Sequence, residues 1–138
     1  MESQPWNRGM TVMLVEEDAS MRRRVRRDLE EEGFHVLTAL TSVEALVMAA
    51  DYPFPVDLLI TDTRKRVYQN GMELAACFRV LRPETAIILR SEVRSENLPA
   101  APGGLPEIFA RIEPPYSKAG LMDAVERTLL GWNAAQAA

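Results

Sequence analysis

The sequence predicts an α/β fold, a doubly wound parallel sheet of five strands with helices on both faces. Strand-like and helix-like segments alternate five times along the 138 residues. The strand-like segments are short continuous apolar runs, the pattern of strands buried on both faces. The first and third of these runs end abruptly in acids, Glu16-Glu17-Asp18 and Asp62. Open α/β sheets place their ligand sites at those carboxyl ends.

Thr11 to Val15 is the first strand. Ser20 is positioned to cap a helix that runs to about Gly33, with Met21, Val25 and Leu29 on one face and the glycine as its stop. Phe34 to Thr38 reads as the second strand. Ser42 is the expected cap of the next helix, which ends before Pro53. Val56 to Thr61 is the third strand and leads into Asp62. A polar loop, Thr63 to Asn70, precedes a third helix of about Met72 to Arg82, stopped by Pro83. Thr85 to Leu89 is the fourth strand. Between Glu92 and Pro106 stand Pro99, Pro102, Gly103, Gly104 and Pro106, so a helix there is short or absent. Ile108 to Ile112 is the fifth strand. Ser117 opens the last helix, and Gly131 is its expected end. The domain so defined spans residues 11–131, between an extension at 1–10 and a tail at 132–138.

The length suits one domain, which buries roughly two-thirds of its unfolded surface. Hydrophobic residues make up 47% and charged residues 26%, ordinary values for a globular chain. A net charge of −4 gives no reason to expect nucleic acid or an anionic membrane as partner. No apolar run approaches the ~20 residues of a membrane span. The single cysteine, Cys77, excludes an internal disulfide and fits a reducing cytoplasm; its apolar helix face suggests a core position. Arg22 to Arg27 carries five arginines, but Glu30-Glu31-Glu32 follows one turn later, which predicts a solvated, self-paired helix face. His35 beside the strand core reads as structural, and Tyr68 as an exposed loop residue.

Carboxylates that converge at strand ends repel one another unless a cation lies between them, and Mg²⁺ accepts such oxygen ligands together with water. Taken singly, each acid reads more readily as a solvated strand end or a helix N-terminal charge than as a ligand. The wider pattern is more specific. Met13-Leu14-Val15-Glu16-Glu17-Asp18 and Leu58-Leu59-Ile60-Thr61-Asp62 resemble the first and third strands of two-component response-regulator receiver domains. Gly33-Phe34, Glu44-Ala45-Leu46, Gly71-Met72-Glu73-Leu74 and Pro114 fall where that family has related features. The likeness covers roughly Thr11 to Leu130 and is stronger in the first half.

The resemblance implies a flavodoxin-like sheet of order 2-1-3-4-5, and the prolines and glycines of Glu92 to Pro106 make the family's fourth helix degenerate here. It also implies that Asp62 accepts a phosphoryl group. Mg²⁺ would be held by Glu17 and Asp62, by Glu16 through water, and by the backbone carbonyl of Arg64. The donor would be a sensor histidine kinase or a phosphotransfer protein. An output domain, a partner protein or a second copy of the chain would receive the signal, in the cytoplasm and without direct contact to nucleic acid or membrane. Such a domain is no enzyme beyond phosphorylating and dephosphorylating itself at Asp62.

Several positions depart from the family pattern. Arg90 stands where a Thr or Ser ends the fourth strand, and Glu113 stands where a lysine precedes Pro114. Ala110 takes the place of the aromatic switch residue, and two glutamates replace the usual aspartates. At about 6 Å and an effective dielectric near 20, exchanging lysine for glutamate disfavours a phosphoryl dianion by roughly 5–6 kcal/mol. Arg90 could return about half of that by turning toward Asp62 or Glu113. The residues therefore leave two functions open: an atypical phosphoryl-accepting receiver, or a pseudo-receiver that binds partners without phosphorylation. A flavin- or nucleotide-binding enzyme on the same fold is disfavoured, because Glu16-Glu17-Asp18 would repel a phosphate.

Overall fold

The computed structural model describes residues 9–62, 71–90, 109–112 and 117–137; for 62, 71, 72, 109–112, 136 and 137 it describes the backbone. In order the elements are β1 (Thr11–Val15), α1 (Ala19–Glu31), β2 (His35–Ala39), α2 (Ser42–Asp51), β3 (Leu58–Asp62), α3 (Gly71–Leu81), β4 (Ala86–Arg90), β5 (Phe109–Ile112) and α4 (Lys118–Ala137). The five strands form one parallel sheet of order β2-β1-β3-β4-β5, as expected. The segment expected to hold the degenerate helix, Glu92 to Pro106, lies outside the described residues, as does Tyr68. No described helix is long and apolar enough to cross a membrane.

Successive strand residues feed two cores. Val12, Leu14, Leu58, Ile60, Ala86 and Ile88 pack with Val25 and Leu29 of α1 and with Leu121, Val125 and Leu129 of α4. The intervening residues Met13, Val15, Leu59, Ile87 and Leu89 pack with Ala45 and Ala49 of α2 and with Leu74, Ala75 and Phe78 of α3. This alternation explains why the strands read as unbroken apolar runs, since each has two buried faces.

Helix ends differ from expectation by a residue or two. Asp18 caps α1, accepting from the Met21 N–H at 3.0 Å, where Ser20 had been expected; Ser20 lies inside the helix. Thr41 caps α2 by accepting from the Glu44 N–H at 3.1 Å, one residue before the expected Ser42. Gly33, at φ 100°, ends α1 as expected. Its N–H bonds the Glu30 carbonyl and that of Phe34 the Leu29 carbonyl, the paired bonds of a left-handed glycine cap. Ser117 accepts from the Gly120 N–H at 3.0 Å and opens α4.

Two expectations are corrected. Helix α4 does not stop at Gly131 but continues to Ala137. A helical glycine costs only about 1 kcal/mol, and Trp132 anchors the next turn. The indole N–H donates to the Glu84 carbonyl at 2.8 Å, and the Arg79 guanidinium lies 4.6 Å from the ring centroid. Cys77 is exposed rather than core, because the buried stripe of α3 runs through Leu74, Ala75 and Phe78 and leaves it to one side. The basic face of α1 is self-paired as expected, Arg26 with Glu30 at 3.3 Å and Arg27 with Glu31 at 3.6 Å. His35 is an exposed residue at the amino end of β2.

Candidate functional site at the carboxyl end of the sheet

Strand register brings the candidate residues to one level. Asp62, the last residue of β3, is the direct partner of Arg90 on β4. On the other side, Leu14 of β1 pairs with Ile60 of β3, so two residues further along Glu16 stands level with Asp62. Arg90 in turn pairs with Ile112 of β5, the residue before Glu113. A buried acid and a buried base therefore flank the end of the central strand.

These two side chains meet. The Arg90 guanidinium donates through Nη1 to Glu16 Oε1 in a contact of ion-pair geometry. Both are nearly sealed from solvent, with 9% of the arginine side chain and 1% of the glutamate exposed. Strands β1 and β4 are not neighbours, because β3 lies between them. At a strand spacing of about 4.8 Å, the pair spans roughly 10 Å across the end of β3. It therefore crosses the level at which Asp62 stands.

The rest of the β1–α1 turn holds Glu16 in place. Its second carboxylate oxygen, Oε2, accepts from the Asp18 N–H at 3.0 Å, and its own N–H donates to the Ala39 carbonyl at 3.0 Å. Arg22 Nη1 reaches back from α1 to the carbonyls of Glu16 at 2.9 Å and Glu17 at 3.3 Å. The three acids of the run thus take three roles. Glu16 is the buried partner of a cation, Glu17 is exposed, and Asp18 is a helix cap.

This arrangement bears on the metal that the resemblance implies. Glu16 already holds a guanidinium on one oxygen and a backbone N–H on the other. A dication about 5 Å from a guanidinium is repelled by roughly 6–7 kcal/mol at an effective dielectric near 20, enough to cancel what Glu16 would offer it. Among the described residues no three His, Cys, Asp or Glu side chains converge as a metal site. The Asp62 carboxylate, the Arg64 carbonyl and the Glu113 side chain lie outside the described residues. Among the described residues, Glu16 with Arg90 seated on it does not fit a divalent ion.

Sequence reasoning singled out both Glu16 and Arg90 but joined them to other partners, Glu16 to a metal and Arg90 to Asp62 or Glu113. Their mutual pairing was missed, along with the role of Arg22. The signal was present in the strand order, since an acid after the first strand and a base ending the fourth flank the third.

The chain matches no family model and no curated protein. Its fold is similar to solved structures. A response regulator receiver protein from Sinorhizobium medicae WSM419 aligns at a TM-score of 0.76 and 23% identity over 90% of this chain and 97% of that one. A CheY-like response regulator receiver domain protein from Methanospirillum hungatei JF-1 aligns at 0.74 and 22% identity over 91% and 98%. The N-terminal domain of a response regulator/sensory box/GGDEF 3-domain protein from Carboxydothermus hydrogenoformans aligns at 0.76 and 18% identity over 90% and 97%.

Proposed function

We propose that this chain, which has the fold of the response-regulator receiver domains, is a signal-transduction receiver that takes a phosphoryl group on Asp62. The observation that carries the reading is the placement of Asp62 at the carboxyl end of the central strand, level with Glu16 and in register with Arg90. A carboxylate oxygen of Asp62 attacks the phosphorus of a phosphohistidine. The P–N bond breaks, and the imidazole nitrogen leaves with the electron pair. Positive charge beside the transferred group lowers the cost of the new dianion, and Arg90, on the neighbouring strand, is the cation at hand. The donor is a sensor histidine kinase or a phosphotransfer protein. The similar domain from Carboxydothermus hydrogenoformans is one of three in its protein, which supports an output domain or partner protein as the recipient of the signal.

One observation favours a second reading. A buried ion pair already crosses the end of β3, an arrangement that suits a module that binds its partner regardless of phosphorylation. Intact-mass measurement after incubation with acetyl phosphate and Mg²⁺ separates the two. A single phosphoryl adduct on the natural protein, absent from Asp62→Asn, supports the receiver. No adduct on either supports the phosphorylation-independent module, and an adduct on both refutes the assignment of Asp62.

A further inference from the structure

We propose that Arg90 is a resident cation that takes the place of a bound metal, so that the carboxyl-end pocket of this chain excludes divalent ions. The inference deepens the receiver reading by naming the source of positive charge at its site. It rests on the placement of Asp62 in that reading, not on whether Asp62 is phosphorylated.

The geometry points to this in three steps. Arg90 on β4 reaches Glu16 on β1 with β3 between them, so the ion pair lies across the end of β3, at the level where the first- and third-strand acids stand. Its partner Glu16 is buried and fixed by the Asp18 N–H, by the Ala39 carbonyl and, through its carbonyl, by Arg22. Such a carboxylate cannot swing out to meet an ion without giving up the Asp18 N–H and the Arg90 contact. Finally, a buried charge stays buried only when compensated. Any ion that displaced Arg90 from Glu16 would have to compensate Glu16 in turn. A hydrated dication that loses its water reluctantly competes poorly for that position.

The test is a Mg²⁺ titration followed by backbone amide shifts, with chain folding checked in the same spectra. The natural protein is expected to show no saturable shift at residues 15–18 and 62 at millimolar Mg²⁺. Arg90→Met removes the charge and keeps the apolar stem, and it should bring saturation at those residues at about tenfold lower metal or better, given the repulsion lifted. Arg90→Gln keeps a donor for Glu16 without the charge; it covers the case in which Arg90→Met does not fold, and the same gain is expected. Saturable binding to the natural protein as tight as to the variants would overturn the proposal. So would the absence of any gain in whichever variant folds, since the cation would then not be what keeps metal out. None of these outcomes depends on phosphorylation, so the inference and the receiver reading can fail separately.

Discussion

At the amino end of the sheet Arg82 gives its guanidinium to backbone carbonyls, whereas at the carboxyl end Arg90 gives its own to a carboxylate. Arg82, with 14% of its side chain exposed, donates to the carbonyls of Ala49 and Phe54 at 3.0 and 2.9 Å and to that of Tyr52, and it lies 3.4 Å from Glu84. It ties the end of α2 and the turn beyond it to the end of α3, and its charge meets mostly neutral acceptors. Nearby, Asp57 accepts from the Thr11 N–H at 2.8 Å, and Trp132 and Arg79 pin α4 to α3. Burial lowers the Arg79 pKa from its ordinary value. The amino end is built from several separate bonds, most of them to backbone carbonyls. Among the described residues the carboxyl end leans on one buried ion pair, Glu16 with Arg90.

The largest expected effect follows from that dependence. Arg90→Ala leaves Glu16 buried without its cation and should cost about 3–5 kcal/mol in urea unfolding. Replacing both partners, Arg90→Met with Glu16→Gln, should recover most of the loss. If the double variant is no more stable than Arg90→Ala, the pair is not the unit described. Arg82→Ala should cost about 2–4 kcal/mol, because three carbonyls lose a charged donor but lie near enough to water to be partly resolvated. It should leave the response to Mg²⁺ unchanged, and a changed response would show that the two ends are coupled.

Smaller effects probe the helices that frame the two ends. Trp132→Ala removes the indole bond to Glu84 and the ring under Arg79, and it should cost about 1–2 kcal/mol in thermal unfolding. Amide exchange should rise in residues 131–137, since Trp132 is what carries α4 past Gly131. Asp18→Ala removes the α1 cap and should cost about 1 kcal/mol. A loss several times larger would mean that Asp18 also serves the Glu16–Arg90 pair, which its N–H touches.

Much of the fold was legible because both faces of each strand are buried, so the apolar runs Thr11 to Val15 and Leu58 to Ile60 stand out whatever lies on either side. Gly33, Pro53, Pro83 and Ser117 marked helix ends through fixed backbone chemistry. The caps of α1 and α2 were less legible. Asp18 and Ser20, or Thr41 and Ser42, can each accept the same kind of bond, and tertiary position decides between them. Gly131 looked like a stop because a sequence does not show that Trp132 finds a carbonyl 48 residues away. Cys77 was misplaced because an apolar-looking helix face does not show which of its residues meets the sheet. At the site, residue types singled out Glu16, Asp62 and Arg90 as candidates. The pairing of Glu16 with Arg90 was hidden because the two are 74 residues apart and meet only through the order of β1, β3 and β4.

The measurement that bears most directly on the account is the rate of phosphoryl transfer from acetyl phosphate, with and without Mg²⁺, in the natural protein and in Arg90→Thr with Glu113→Lys. The variant removes the resident cation and restores the residue types that the resemblance associates with metal-dependent transfer. The account predicts that Mg²⁺ leaves the natural protein's rate unchanged. In the variant transfer should become metal-dependent and faster by at least about tenfold, in line with a charge change of this size near Asp62. A natural protein accelerated by Mg²⁺ as much as the variant, or a variant no faster than the natural protein, would contradict it.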